Sequence, residues 1–550
     1  MKRNFTRFFL VFELVFSSVA VVAHGQGASA TPQPPTAGSG APPPASPAHP
    51  SAPPSIVDAD HLYRIDNLDA ALAAYQALIA TNSQTALAYA GISRVYLKQK
   101  KPADAYTASA KAVELAPTDH ATRVAMAEVL FRQGKVNAAE KEFVALIQAN
   151  TPNARAFLGE ARISYANSHF KQAKRMIDKA HELDPDDPDI SNFWFKTFMG
   201  SKGVKVVHVH SSDEDNEDAR VEAAQERELN ALVEKLNQQN GACRLKTKLT
   251  AMQTNLKQLL YDPRYLRGFG LNVKLNGTTA ALLLDTGASG ILVNRKIAEK
   301  AGIQRVFETK IGGIGDKGDA GGYYGRVDSI KIGDLEFQDC LVEVIDKKSA
   351  VDEEGLIGAD VFSQFLVDLD FANNKFRLSE LPRRPGETDA PAAGLESHAS
   401  EAPKPFDRYV APEMKSYTPV LHIGHMLLVP TKLNDGSPKL FLLDSGAFNN
   451  TISPSAAREV TKVYGDNDTQ VKGLSGKVDK VFRGDQLTLA FGRFRQKNLD
   501  IVAFDTTRLS DSAGVEISGM LGFGLLRMLD VKIDYRDGLV DFEFDSKLWH

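Results

Sequence analysis

Leu282-Leu283-Leu284-Asp285-Thr286-Gly287-Ala288-Ser289 decides how the second half of this chain is read. An apolar run of this length bounded by small residues is the pattern of a buried strand that ends in a tight loop. The arrangement returns as Leu440-Phe441-Leu442-Leu443-Asp444-Ser445-Gly446-Ala447, 159 residues later (444−285). Downstream of each lies an apolar-apolar-Gly segment, Gly355-Leu356-Ile357-Gly358-Ala359-Asp360 and Gly519-Met520-Leu521-Gly522-Phe523-Gly524, offset by 164 (519−355). A further parallel sets Phe365 to Asp370 against Met528 to Asp534. Near-constant internal spacing reads as one β lobe present twice. Alternating runs and an Asn276-Gly277 turn support the all-β reading.

This doubled pattern resembles the retropepsin-like aspartic proteases of the broad pepsin superfamily. The resemblance covers about Lys246 to Phe544. It implies two β-barrel lobes that together build one site, with Asp285 and Asp444 as the catalytic pair. Two carboxylates held close cannot both ionise easily, so they share a proton. The ionised member takes a proton from water, and the protonated one donates to the developing oxyanion. Gly287 and Gly446 permit tight loops. The resemblance implies that the Thr286 and Ser445 hydroxyls cross-link the two loops, and that Ile357 and Leu521 lie beneath them. Gly312, Gly313, Ile314 and Gly315 in lobe one, with Gly473 and Leu474 in lobe two, are positioned as flaps that exclude bulk water. Lobe two departs from the pattern: Phe448 stands where lobe one has Ser289.

The chemistry implied is endopeptidase action on a protein or peptide substrate, without a metal or organic cofactor. The alternative is a catalytically silent scaffold that binds peptides through the same lobes. The dyad could also form between two chains.

The first half follows a different grammar. Ala71, Ala105, Ala139 and Ala173 recur every 34 residues (105−71, 139−105, 173−139), and Ser93, Ala127 and Ala161 keep the same period. Leu68, Pro102, Val136 and Phe170 keep it too. A 34-residue period with small residues at fixed phases resembles tetratricopeptide repeats (TPR), stacked helical hairpins. Such arrays present a groove to a protein partner. A capping helix is expected around Ile190 to Met199. The fold class is therefore multidomain α plus all-β, a TPR α-solenoid followed by two retropepsin-like β-barrel lobes.

The remaining segments are connectors. Lys2, Arg3 and Arg7 precede an apolar run from Phe8 to Ala23, the layout of a secretory signal peptide. That layout points to an exported protein, periplasmic or extracellular, with no stable membrane span after signal cleavage. The expected divisions are 1–30 signal peptide, 31–57 Pro/Ala-rich linker, 58–200 TPR domain and 201–245 linker with a spacer helix from Ala219 to Leu236. Lobe one at 246–381, a Pro/Ala/Glu-rich linker at 382–416 and lobe two at 417–550 complete them. A short helical stretch is expected to lead into lobe one. His208 and His210 alternate in the linker and read as solvated residues. Lys plus Arg number 65 against 69 Asp plus Glu, so a nucleic-acid partner has no electrostatic basis. Cys243 and Cys340 are the two cysteines; a disulfide and two separate thiols remain open alternatives.

Overall fold

The structure, a computed structural model, describes residues 54–149, 152–194, 243–262, 265–345, 353–385 and 407–544. The leader-like segment, His208 with His210 and the expected spacer helix lie outside the described residues.

Helices come first: α1 Ile56–Arg64, α2 Leu68–Ala80, α3 Thr85–Lys98, α4 Pro102–Leu115, α5 His120–Arg132, α6 Val136–Gln148, α7 Ala154–Ala166, α8 Phe170–Leu183 and α9 Pro188–Trp194. Leu68, Pro102, Val136 and Phe170 each open the second helix of a hairpin. The periodic alanines 71, 105, 139 and 173 are fully buried, because only a small side chain lets two helices approach there. The same limit appears at Gly91 and Gly159. A Cβ at Gly91 would sit 2.3 Å from the Tyr75 ring, and one at Gly159 would sit 2.2 Å from the Phe143 ring. Of the capping helix expected at Ile190 to Met199, the described part runs from Pro188 to Trp194.

The inner face, formed by the first helix of each hairpin, is crossed by an ion network. Arg155 donates to Glu128 (2.7 Å), Asp187 (2.7 Å) and Asp189 (3.1 Å). The Tyr63 hydroxyl also reaches Asp189, at 3.0 Å, and ties α1 to α9. Burial works against the Asp189 charge, yet the Arg155 guanidinium holds its carboxyl well below the usual range. A pocket of about 300 Å³ remains beside this network.

Two sheets of nine and ten strands form the lobes, and a six-stranded sheet joins them. The joining sheet carries Ala251–Asn255, Lys375–Glu380 and Phe365–Asp370 from lobe one, then Asp530–Asp534, Leu539–Glu543 and Thr418–Pro419 from lobe two. Its central seam pairs Val367 with Ile533, antiparallel. The helical lead-in expected after Lys246 is corrected here. Ala251–Asn255 is an edge strand of the joining sheet, with Met252 opposite Leu378. Pairing with a neighbouring strand overrode the local helical tendency. Phe269, Phe371 and Phe523 close the core between the lobes, with ring centroids 5.5 to 6.3 Å apart.

Cys243 and Cys340 are joined in a disulfide, which decides between the two alternatives. It ties the entry segment of lobe one to strand Leu335–Ile345 across 97 residues.

The repeat array is packed directly on lobe two. Val124, Ala127, Val136 and Phe143 share one buried cluster with Leu428, Leu440, Phe504 and Met520. The Glu516 amide donates to the Arg132 carbonyl at 2.7 Å, and Arg132 forms an ion pair with Asp511. Asp407 accepts from the Lys171 and Gln172 amides at the start of α8, where free amides and the helix dipole favour an anion.

Candidate active site

Strands Thr278–Asp285 and Pro438–Asp444 each deliver their aspartate at the C-terminal end. Each strand lies parallel to an apolar-apolar-Gly strand, with Gly358 opposite Asp285 and Gly522 opposite Asp444. Ile357 and Leu521 are fully buried beneath the loops.

The loops brace one another through four reciprocal hydrogen bonds. The Thr286 hydroxyl donates to the Leu443 carbonyl (2.8 Å) and accepts from the Ser445 amide (2.9 Å). The Ser445 hydroxyl donates to the Leu284 carbonyl (2.8 Å) and accepts from the Thr286 amide (3.0 Å). Both side chains are buried, so every polar atom of the brace depends on the opposite lobe.

This brace sets the two aspartates side by side, near enough for the Asp285 charge to act on Asp444. Each carboxyl also rests against the glycine of the opposing loop. A Cβ on Gly287 would lie 2.8 Å from the Asp444 Cγ, and one on Gly446 would lie 2.3 Å from an Asp285 carboxyl oxygen. Even alanine is therefore too large at either position. The Gly287 amide donates to Asp285 and the Ala447 amide to Asp444, each at 2.8 Å. Burial raises both carboxyls above the usual range; the Gly287 amide opposes this at Asp285, and the Asp285 charge adds to it at Asp444.

Behind the loops the lobes differ. In lobe one Asp360 accepts from the Ser289 hydroxyl (3.0 Å) and the Gly290 amide (3.0 Å). Burial raises Asp360, while His425 and these donors pull it back. In lobe two Gly524 takes the place of Asp360, and its amide donates to the Phe448 carbonyl at 2.8 Å. The Asn450 side chain accepts from the Gly522 amide instead, also at 2.8 Å. Phe448 lines the cleft and is 51% exposed.

The dyad lies in a cleft of about 1570 Å³ between the lobes. Gly312 to Gly315 and Gly473 with Leu474 meet above it. The Gly313 amide donates to the Ser475 hydroxyl (3.1 Å), the Ser475 amide to the Ile314 carbonyl (3.0 Å) and the Lys317 amide to the Ser475 carbonyl (2.9 Å). Gly315, at φ +130°, leaves a gap of only 2.5 Å to the Ser475 backbone for any Cβ. Both tips depend on glycine for this approach.

Several cleft residues were not singled out from the sequence. Arg267 donates to the Gly446 carbonyl at 3.0 Å, and His425 lines the cleft beside Asp285 and Asp360. They hold matching positions, four residues before Leu271 and Val429, which pair with Leu282 and Phe441. Aligning the two lobes from the aspartates backward would have exposed them. Glu343 accepts from the Tyr324 hydroxyl at 2.9 Å, and burial pushes its carboxyl up to about 7. No local motif marks that pair, because strand pairing alone brings Tyr324 opposite Glu343.

Fold and site together define a two-lobed aspartyl-protease module behind helical repeats. The family model described as aspartyl protease matches residues 271–361 and 429–525, and two tetratricopeptide-repeat models match 96–163 and 58–120. The chain thus carries a retropepsin-like aspartyl protease domain in two parts, together with TPR repeats. DNA damage-inducible protein 1 of Neurospora crassa is 32% identical over 135 residues, which is 24% of this chain and 30% of the relative. UBA domain-containing protein Mud1 of Schizosaccharomyces pombe is 30% identical over 125 residues, 22% of this chain and 36% of the relative. The chain spans about a third of the length of the curated relatives it matches. An aspartic proteinase from Irpex lacteus aligns over 54% of this chain and 98% of its own, at 13% identity and a TM-score of 0.31.

The relatives correct one expectation. The N-terminal pattern pointed to export and a periplasmic or extracellular destination, whereas the matched relatives are DNA damage-inducible proteins and Mud1 of fungi, which contradict it. A basic start and an apolar run are a compositional signal only, and Glu13 interrupts this one. No helix among the described residues is long and apolar enough to cross a membrane.

Proposed function

We propose that the chain is an aspartic endopeptidase in which Asp285 and Asp444 activate one water within a single molecule. The reciprocal Thr286–Ser445 brace carries this reading, because it sets the half-buried Asp285 and the buried Asp444 side by side in an open cleft. The ionised carboxylate takes a proton from the water as its oxygen attacks the scissile carbonyl carbon. The protonated carboxyl donates to the carbonyl oxygen. Collapse of the tetrahedral intermediate returns that proton to its donor and expels the amine, which takes the proton that the other carboxyl drew from the water. The reading needs no metal or organic cofactor. Substrates are extended protein or peptide segments that enter beneath the flaps, and the repeat array recruits a protein partner or the substrate itself.

The rival is a silent peptide-binding scaffold, favoured by the loss of a Ser–Asp pair behind the second loop. The test is digestion of a peptide library by the full chain from acidic to neutral pH, with Asp285→Asn and Asp444→Asn in parallel. Cleavage lost in both variants is expected. No cleavage by the wild-type chain, or cleavage that survives both substitutions, would sink the reading.

A further inference from the structure

Helix Thr507–Ala513 of lobe two touches both the flap and the repeat array. Its Arg508 donates to the Gly315 carbonyl at 2.8 Å and to Asp319 at 2.8 Å, both on the flap segment of lobe one. The Asp319 side chain is 6% exposed and the Arg508 side chain 45%, so the pair is shielded on its carboxylate side only. Three residues along the same helix, Asp511 is paired with Arg132 at the end of α5 in the repeat array. The helix is fixed underneath as well. The Thr506 hydroxyl donates to the Ile517 carbonyl at 2.6 Å, and the Ser510 hydroxyl accepts from the Ile517 amide at 2.9 Å. Ile517 stands just before strand Gly519–Gly522, the partner of the Asp444 strand. Lys100, in the turn between α3 and α4, lines the same cleft as Arg508 and Asp511.

We infer that Arg508 is a positioning residue that holds the lobe-one flap over the dyad, and that the repeat array holds the helix carrying it. The flap tips are glycine-rich, and they are joined by three backbone bonds and by the Ser475 and Asp316 side chains, which accept from the Gly313 and Asp479 amides. A guanidinium that bonds a flap carbonyl and a flap carboxylate together adds a directional, charge-assisted hold. Arg132 braces the other end of the helix. On this basis the array acts on flap position as well as recruiting partners. The inference rests on the protease reading for its kinetics, but not for its geometry.

The test uses the full chain with Arg508→Ala, Arg508→Lys and Arg132→Ala. Limited trypsin digestion reads flap opening at Lys310 and Lys317 without requiring activity. Arg508→Ala should speed cleavage at these lysines by about tenfold, since a charged hydrogen bond is lost. Arg508→Lys should restore part of the protection, and Arg132→Ala should give a smaller increase in the same direction. With a fluorogenic peptide substrate, Arg508→Ala should raise KM by about tenfold and change kcat less. Wild-type rates of flap cleavage in Arg508→Ala overturn the inference. An Arg132→Ala chain matching the wild type while Arg508→Ala does not overturns the part given to the array. Faster flap digestion in a chain that cleaves no peptide at any pH would leave the latch standing and reject the protease reading.

Discussion

The two lobes carry one loop on two different supports. In lobe one the loop leans on a carboxylate, with Ser289 and the Gly290 amide converging on Asp360. In lobe two a neutral amide, Asn450, and two backbone bonds take over, and Phe448 is turned toward the cleft. Yet the brace between the loops is the same from either side, to within 0.2 Å. The lobes thus differ behind the loop, where each satisfies its polar groups with different partners. They match at the contact, where each lobe supplies the other's hydrogen-bond partners.

The largest expected effect asks whether the aspartates are equal despite their supports. Asp285→Asn and Asp444→Asn should each lower kcat/KM by about 10² to 10⁴-fold, because each removes one member of an acid–base pair. A variant that keeps wild-type kcat/KM would break the equivalence of the lobes. Next comes the brace. Ser445→Ala leaves the Thr286 amide and the Leu284 carbonyl buried without partners, and Thr286→Val does the same to Ser445 and Leu443. Each should cost about 2–3 kcal/mol in denaturant unfolding, and unequal losses would show that one side of the brace dominates.

A pH series sharpens the electrostatic side. The Asp444 carboxyl is raised in the folded state, first by burial and then by Asp285. The folded chain therefore holds its proton more tightly than the unfolded chain does. The stability tied to that proton is fully present below the ordinary carboxylate range and is lost as pH rises through the raised value. Asp444→Asn should match the wild type near pH 3 and exceed it by about 1–2 kcal/mol near pH 8. A constant difference across that range would mean that the carboxyl does not titrate as a buried group. The smallest effect belongs to the supports. Ser289→Ala should cost about 1 kcal/mol by removing a donor to Asp360. Phe448→Ala should leave stability within about 0.5 kcal/mol and shift KM only.

Much of this architecture is legible in the amino-acid sequence. The 34-residue period locates the helix starts, since a small residue is required wherever two helices touch. The twin Asp-Thr/Ser-Gly loops, with matched glycine segments downstream, locate the dyad and the brace. The strand at Ala251–Asn255 reads locally as a helix because its extended state depends on pairing with Lys375–Glu380, more than 100 residues away. Arg267, His425 and the Tyr324–Glu343 pair escape a sequence reading for a related reason. Each is set by which strand lies next to which, and no short window records that.

By itself the chain's order of residues determined what is local and repeated: the helical period and the two Asp-Thr/Ser-Gly loops. Tertiary structure alone decided what meets across long separations. It settled that the two loops brace each other in one molecule, that Cys243 bonds Cys340, and that the repeat array rests on the helix beneath the flap. The physical reason is that periodicity and turn chemistry act within a few residues. Pairing between distant strands and helices is chosen by the packing of the whole chain.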